Sequence, residues 1–524
     1  MVQVKIDGKD IDVPAGTTVL VAARQLGIDI PTFCYHDGLT RPANCRMCLV
    51  NTNKAPKLVP ACYQTVMDGM EVTTRDEKTV KTRKSVLEFI LLNHPVDCPI
   101  CDQAGECVLQ DNYFAHSASP SRLFTKKVHK QKALKIGPNV FLDAERCVEC
   151  TRCVRFCTEV TKTGELQIVN RGERSEISTY PGRQLDNDYA TNVVDLCPVG
   201  ALTAADFRFK VRVWFLKSVD SVCGGCSRGC NIVIDHHENH VQRYRPRYNA
   251  DVNQWWMCDP GRLSYGELEA ARLTHARSAG GSELGLKDAL GIATRKLLAF
   301  KDAHGFASLA LVPSLASTNE DLYALLELAE TLGAGSWYAG GRAPGKEDDL
   351  LQRADKNPNR KGLETLLGWK GKAAAPLSQL AADIASGKIK GVLWMGHDHA
   401  PDAAVQAALG KVQLRIAIAS NDGAWLEGAD PVLPMRTFAE VDGTWTNVQG
   451  KAQRLHRALD PKRDVLPLWE LAYRLGRGLG HMDTLQTPAS AKALFTEMAA
   501  QVPALSGLDF GGVPGPGKSI PAAA

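Results

Sequence analysis

Cys147-Val148-Glu149-Cys150-Thr151-Arg152-Cys153-Val154-Arg155-Phe156-Cys157, answered by Leu196-Cys197-Pro198, is the stretch on which the reading of this chain turns. Iron bound to sulfide is a soft acceptor satisfied by thiolate sulfur. A loop of the form C-x2-C-x2-C delivers several thiolates to one face of a cluster, and a remote cysteine closes it. The same logic recurs on both sides. Cys34, Cys45, Cys48 and Cys62 are spaced C-x10-C-x2-C-x13-C; His94, Cys98, Cys101 and Cys107 read H-x3-C-x2-C-x5-C; and Cys223, Cys226, Cys230 and Cys258 read C-x2-C-x3-C-x27-C. Fifteen of the 16 cysteines and His94 thus form four four-ligand sets, all before residue 259.

The third set is completed by analogy with two-cluster ferredoxins. There each C-x2-C-x2-C-x3-C-P run sends its last cysteine to the other cluster. Cys197, followed by Pro198, has the look of such a last cysteine. Stepping back by the motif spacing reaches Asn187, Ala190 and Val193, none of which binds iron. One cluster of an ancestral pair is read as lost, with Cys197 serving the survivor beside Cys147, Cys150 and Cys153. Cys157, followed by Thr158, is then a spare thiol.

At 524 residues the chain is long enough for three or more domains, and 62 basic against 58 acidic residues give a formal charge of only +4. Neither a nucleic-acid footprint nor a polyanionic tail is indicated. The N-terminus enters a strand pattern at once, leaving no room for a signal peptide, and no apolar run approaches the ~18 residues of a membrane span. Together with thiols grouped in C-x2-C pairs, this predicts a cytoplasmic protein with metal sites rather than disulfides.

Residues 1–78 read as a small mixed domain. Val2–Ile6 and Ile11–Val13 flank a turn at Asp7-Gly8-Lys9, and Thr18–Leu26 is an amphipathic helix stopped by Gly27. The ligand loop and the returning Cys62 resemble the β-grasp fold of [2Fe–2S] ferredoxins. A helix over Thr79–Asn93 ends at His94-Pro95, presenting His94 beside the next cysteine loop. Zinc held by one histidine and three cysteines is the rival for that set alone, and the neighbouring sets weigh against it. Residues 79–118 and 119–216 form the second and third domains, and 217–272 the fourth. Beyond a linker at His275–Ser282, cysteine vanishes. Ser308–Val312, Gly391–Met395 and Gln413–Ala419 read as strands, and Asn319–Leu332 and the stretch around Ala400–Leu409 as helices. Strand and helix in alternation predict a parallel α/β layer over 273–510, followed by a flexible tail, 511–524.

Several motifs are refused. Gly512-Val513-Pro514-Gly515-Pro516-Gly517-Lys518-Ser519 fits the phosphate-loop formula, yet two prolines sit inside it and Pro521 prevents the helix whose amides would hold phosphate. Gly340–Lys346 is a weaker near-match with Glu347 at the hydroxyl position. His236, His237 and His240 read as a solvated hairpin tip, and His397-Asp398-His399 as a strand-to-helix loop. No Rossmann glycine fingerprint with a ribose acid is present, so nicotinamide is expected on another chain.

Arg245-Pro246-Arg247-Tyr248-Asn249 and Val252–Arg262, with the Cys223 set, closely resemble the [4Fe–4S] module that heads molybdopterin oxidoreductases. The order of all four sets is similar to the large iron–sulfur subunit of respiratory complex I, the G or 75-kDa subunit family. Glu440–Arg454 extends the likeness, being similar to that family's Gly-Thr-aromatic/Val-x-Asn-x-Glu-Gly-Arg-x-Gln segment. The resemblance implies a multidomain α+β and α/β fold: a β-grasp [2Fe–2S] domain, a one-histidine/three-cysteine [4Fe–4S] domain, a ferredoxin-like [4Fe–4S] domain, then a shortened molybdopterin-oxidoreductase-like α/β domain. It assigns a [2Fe–2S] cluster to Cys34, Cys45, Cys48 and Cys62. Three [4Fe–4S] clusters fall to His94, Cys98, Cys101 and Cys107; to Cys147, Cys150, Cys153 and Cys197; and to Cys223, Cys226, Cys230 and Cys258. Electrons from NADH, oxidised at flavin on a partner subunit, are expected to cross the first, third and second sets towards quinone, with the fourth off that path. The implied partners are the flavin- and NADH-binding subunit, other peripheral-arm subunits and, indirectly, the membrane arm, at the cytoplasmic face of the membrane. No catalytic acid, base or nucleophile and no molybdopterin are expected.

Three rivals remain. An [FeFe]-hydrogenase needs cysteines in its C-terminal domain, and residues 259–524 have none. The electron-transfer subunit of an NAD-linked hydrogenase or formate dehydrogenase is the alternative of the same class. A non-redox scaffold holding zinc at several sets is the alternative of another.

Overall fold

The structure is a computed structural model that describes residues 1–117, 120–396, 401–463, 465–481, 485–511 and 518–519. They fall into two compact units, Met1–Leu216 and Lys217–Ala524.

The first unit opens with β1 (Val2–Ile6) and β2 (Lys9–Val13), paired antiparallel around Asp7-Gly8. Both turn residues have positive φ, 44° and 83°, as a two-residue hairpin requires. α1 (Val19–Gln25) is capped by the Thr18 hydroxyl, which accepts from the Val21 N–H, and Gly27 follows in left-handed conformation at φ 70°. β3 (Leu49–Thr52), β4 (Val59–Pro60) and β5 (Met70–Thr73) complete a sheet of order β2-β1-β5-β3-β4, with β1 and β5 parallel. Val4, Ile6 and Val13 join Val19, Leu20, Ala22 and Ala23 of the helix in one core. A helix across a mixed sheet of this order is the β-grasp arrangement.

α2 (Glu77–Leu92) begins earlier than Thr79 because Asp76, not Thr79, supplies the cap: its carboxylate accepts from the Thr79 N–H at 3.1 Å. α3 (Val108–His116) follows, then β6 (Leu134–Lys135) and β7 (Val140–Leu142). α4 (Arg152–Arg155) runs into a π-helical turn, Phe156–Val160, and β8 (Leu166–Val169) pairs with β9 (Glu176–Thr179). α5 (Asn192–Leu196) stops at Cys197, and β10 (Leu202–Ala204) closes the sheet β10-β7-β6.

The second unit starts with the antiparallel sheet β11 (Lys217–Val222), β12 (Asn231–His237) and β13 (His240–Pro246), followed by α6 (Asp259–Leu263). The histidine-bearing hairpin turns at Glu238-Asn239, both with positive φ. The expected linker His275–Ser282 differs from its sequence reading. Ala276–Arg277 form β14, an added strand between β15 (Glu283–Leu284) and the main sheet, because Ala276 is small enough to bury while Arg277 reaches out to Asp422.

α7 (Leu286–His304), β16 (Leu309–Val312), α8 (Asn319–Leu332), β17 (Ser336–Ala339), α9 (Arg360–Trp369), β18 (Ala375–Pro376), α10 (Leu377–Ala385), β19 (Gly391–Met395), α11 (Ala403–Leu409), β20 (Leu414–Ala419) and β21 (Val432–Pro434) build the α/β layer. Its sheet runs β15-β14-β21-β20-β19-β16-β17-β18, parallel from β21 to β18. Period-two alternation feeds both faces. Leu309, Leu311, Leu393 and Met395 join one core, while Ala310, Val312, Val392 and Trp394 join another with α10 and α11. The helix around Ala400–Leu409 starts at Ala403, capped by Asp402; Ala400 lies outside the described residues, as does His397-Asp398-His399.

β22 (Gly443–Thr446) and β23 (Lys451–Leu455) form a hairpin, α12 (Leu468–Gly478) and α13 (Ala491–Gln501) join the first of those cores, and β24 (Lys518–Ser519) pairs with β23. Of the expected tail 511–524, residues 512–517 and 520–524 lie outside the described residues, and with them most of the phosphate-loop look-alike. Among the described residues no helix is long and apolar enough to cross a membrane.

Candidate metal centres

The first set is built by the β-grasp sheet. Cys48 leads into β3 and Cys62 follows β4, and the Ala61 N–H donates to the Cys48 carbonyl at 3.0 Å, holding the two together. Ala43 and Arg46 take left-handed conformations that turn the intervening loop back on Cys34. The four thiols lie in hydrogen-bonding reach, Cys34 with Cys45 and Cys62, and Cys48 with Cys62. Hydrogen bonds from Cys45 and Cys62, aided by the Asn44 and Cys45 amides, hold the Cys34 thiol far below its ordinary range. The same contacts lower Cys48 and push Cys45 and Cys62 up, so the set divides into two thiols that favour the anion and two that hold their protons.

In the second set, α2 ends so that His94 follows its C-cap, and Lys127 caps the helix by donating to the Leu91 and Leu92 carbonyls at 3.0 and 2.7 Å. Burial, with Lys127 and Arg146 nearby, pushes the imidazole down to about 4. His94 Nδ1 is buried without a hydrogen-bond partner. A neutral imidazole with an unsatisfied nitrogen is what a metal ligand requires. Cys98 opens a 3-10 turn, Cys107 caps α3, and Arg146 faces both His94 and Cys101.

Cys147, Cys150, Cys153 and Cys197 line a single cavity, closed by Leu142, Ile177 and Leu202. Glu149 and Thr151 sit at φ 52° and 63°, coiling the loop so that successive sulfurs turn inward. Burial raises Cys150 to about 11, and the amides of Val199, Ala201 and Leu202 point at Cys197. Cys157 is not part of that lining. It is fully buried, and burial with Glu165 beside it raises the thiol to about 12. The positions read as lost ligands are packed: Ala190 and Val193 are core, and the Asn187 amide donates to Glu165.

Cys223, Cys226, Cys230 and Cys258 line a cavity of about 390 Å³. Cys223 follows β11, Cys230 precedes β12, and the Cys223 N–H donates to the Cys230 carbonyl at 2.8 Å. A β-carbon on Gly261 would stand 3.0 Å from Cys223 Sγ and 3.2 Å from Cys258 Sγ, so glycine keeps this cradle open. The Glu440–Arg454 segment acquires a role here. Asn447 donates to the Arg228 carbonyl, the Val448 N–H to Ser227, and Gln453 to Gly229 at 2.8 Å, so the β22–β23 hairpin braces the ligand loop.

Among the described residues no group of three or more His, Cys, Asp or Glu side chains converges as a single ion would require. The fourth set surrounds a volume suited to a multinuclear cluster, whereas the four cysteines of the third close round only about 10 Å³. Gly340–Lys346 leaves β17 without opening a helix, its Arg342 N–H donating to the Asn357 side chain. His240 contacts Glu269 at 2.9 Å, a carboxylate neighbour the sequence did not suggest.

Sequence reasoning missed the contacts between sets. Arg152 donates to the Tyr35 and Leu196 carbonyls, and Arg155 to those of Cys34 and Thr40. The Val108 N–H donates to the Pro198 carbonyl at 3.0 Å, and Gly200 packs directly on Cys101 Sγ. The one local signal that could have pointed there is Arg152, the single basic residue inside the C-x2-C-x2-C loop.

Family models match along the chain: a 2Fe-2S iron-sulfur cluster binding domain at 1–77, an NADH-ubiquinone oxidoreductase-G iron-sulfur binding region at 83–122 and an NADH-quinone oxidoreductase subunit 3 ferredoxin-like domain at 137–203. An NDSU1/NuoG-like 4Fe-4S domain follows at 216–266, and molybdopterin oxidoreductase at 369–477. The chain is 45% identical over 275 residues to the NADH-ubiquinone oxidoreductase 75 kDa subunit of Reclinomonas americana, 52% of this chain and 40% of that one. It is 38% identical over 368 residues to the NADH dehydrogenase [ubiquinone] iron-sulfur protein 1 of Solanum tuberosum, 70% of this chain and 49% of that one. The NADH-quinone oxidoreductase G subunit of Rickettsia felis is 41% identical over 273 residues, 52% and 40% of the two chains. The chain thus spans less than half the length of these relatives. Among solved structures, an NAD+-reducing [NiFe]-hydrogenase chain matches at 28% identity with a TM-score of 0.37, covering 40% of this chain and 91% of that one, a superposition too partial to bear on the fold.

Proposed function

Because this chain belongs to the family of the 75-kDa or G iron–sulfur subunit of NADH:quinone oxidoreductase, we propose that it is an electron-relay subunit of that enzyme's peripheral arm. In this reading it receives single electrons that a flavoprotein partner takes from NADH and passes them towards quinone. When bound, an iron–sulfur cluster stores and releases one electron without bond-making to a substrate.

The observation that carries the reading is the packing of three ligand sets in one unit, with the third touching both others. Arg152, inside the third set's loop, donates to the Tyr35 carbonyl beside Cys34, and the Val108 N–H of α3 donates to the Pro198 carbonyl beside Cys197, so the third set is tied to the first set's loop and to α3 of the second. The chain's own residues do the tuning. Neutral His94 replaces one anionic thiolate, which raises potential, and amides aimed at Cys34 and Cys197 stabilise negative sulfur. Leu142, Ile177 and Leu202 wall the third set with apolar side chains. The C-terminal α/β layer, without a cysteine after Cys258, offers no thiolate to a pterin metal and is read as scaffold.

Anaerobic iron and sulfide analysis with low-temperature EPR tests this. One [2Fe–2S] and three [4Fe–4S] clusters are expected; zinc in place of iron, with no more than one reducible cluster, would sink the reading.

A further inference from the structure

We propose that Arg152, with Arg155 beside it on α4, is a positioning and charge-tuning residue that joins the first and third ligand sets into one conducting pair. The inference rests on the electron-relay reading. Arg152 donates to the Tyr35 carbonyl at 2.6 Å and to the Leu196 carbonyl at 3.2 Å. Tyr35 follows Cys34, and Leu196 precedes Cys197. One rigid guanidinium therefore spans two peptide groups, each adjacent to a ligand of a different set.

Arg155, one turn further along α4, reinforces the bridge by donating to the Cys34 and Thr40 carbonyls, while Thr151 Oγ1 lies 3.2 Å from its Nε. Glu159, in the π-helical turn that follows, accepts from the Thr40 N–H at 2.9 Å and from its hydroxyl. Asn44, beside Cys45, donates to the Glu149 carbonyl at 3.2 Å. The loop carrying Cys34 and Cys45 is thus strapped along its length to the loop carrying Cys147, Cys150 and Cys153.

Charge adds to geometry. Arg152 Nε is buried without a partner, so this cation is poorly screened by water. Arg152, bonded to the carbonyls of Tyr35 and Leu196, and Arg155, bonded to the Cys34 carbonyl, place two guanidinium groups between the first and third sets. Reduction adds one negative charge to a set. A fixed cation between two sets favours the reduced state of both and keeps their potentials moving together.

The test uses the full chain loaded anaerobically with iron and sulfide, comparing wild type with Arg152→Gln and Arg152→Lys by EPR-monitored redox titration. Arg152→Gln is expected to lower the midpoint potential of both sets, each reduction equilibrium falling about tenfold, or about 59 mV for one electron. Arg152→Lys, which keeps the charge, is expected to restore both to within about threefold, about 30 mV on the same scale; a packing role alone would make lysine as damaging as glutamine. Unchanged potentials in iron-replete Arg152→Gln, or a fall at one set only, would overturn the proposal. If Arg152→Gln loses iron, Arg155→Gln decides by the same two outcomes. A wild-type chain lacking both reducible clusters would defeat the electron-relay reading instead.

Discussion

A β-carbon on Gly200 would stand 2.2 Å from Cys101 Sγ, closer than any real contact allows, and the sulfur is not the far end of a flexible chain once it ligates metal. Gly200→Ala is therefore expected to cost the second set its cluster while sparing the others, read as the loss of one cluster's iron and one EPR signal. His94 carries the complementary prediction. Its imidazole is neutral because it is buried among cations, so His94→Cys exchanges a neutral ligand for an anionic one. That cluster's midpoint potential should fall by an amount on the order of 100 mV, with iron content retained. Redox titration of the purified variant checks it. At this scale the sequence proposes the ligands, because donor chemistry belongs to the side chain itself. It was silent on Gly200 and on the unpartnered His94 nitrogen, which are statements about neighbours.

Between elements, buried polar contacts hold α8 to the β22–β23 hairpin. Fully buried Glu320 accepts from the Thr444 N–H at 2.9 Å and from its hydroxyl at 3.0 Å, and Asn319 donates to the hydroxyls of Thr444 and Thr446. Burial raises the Glu320 carboxyl from 4.5 to about 7. The folded protein therefore keeps a proton that the unfolded chain releases between those values. Stability from this group is fully present below pH 4.5, is lost as pH rises towards 7, and no longer changes above it. The change should be on the order of 3 kcal/mol, and Glu320→Gln should abolish that slope in urea unfolding of the second unit followed across this range. Asp235 behaves in the opposite sense. Arg245, Arg243 and Ser218 surround its buried carboxylate and outweigh desolvation, holding it below the ordinary range. Asp235→Ala leaves two guanidinium groups without their shared partner and should destabilise the sheet β11–β13 by about 3 kcal/mol, measurable as a lower denaturation midpoint. Helices and strands themselves were legible: β1, α1, α8 and β19 stand where periodicity, caps and breakers put them. The linker was misread because two residues of strand carry no period of their own.

Across the whole molecule, the two units should respond differently to loss of iron. Cys48 and Cys62 are part of the small core of the β-grasp sheet, whereas the large cores of the second unit run along the eight-stranded sheet and contain no cysteine. Oxidative removal of iron followed by calorimetry is expected to lower the transition of the first unit markedly and that of the second little; a single, equally shifted transition would contradict this. The iron–sulfur character of the first half and the α/β character of the second were written in the sequence, because cysteine spacing and hydrophobic period are local properties that the chain carries unfolded. Strand order, the bracing of the Cys223 loop by Asn447 and Gln453, and the junction of sets at Arg152, Leu196 and Pro198 were decided only by tertiary structure. Each joins residues far apart in the chain, and a hydrogen bond between them exists only once packing has brought its two groups together.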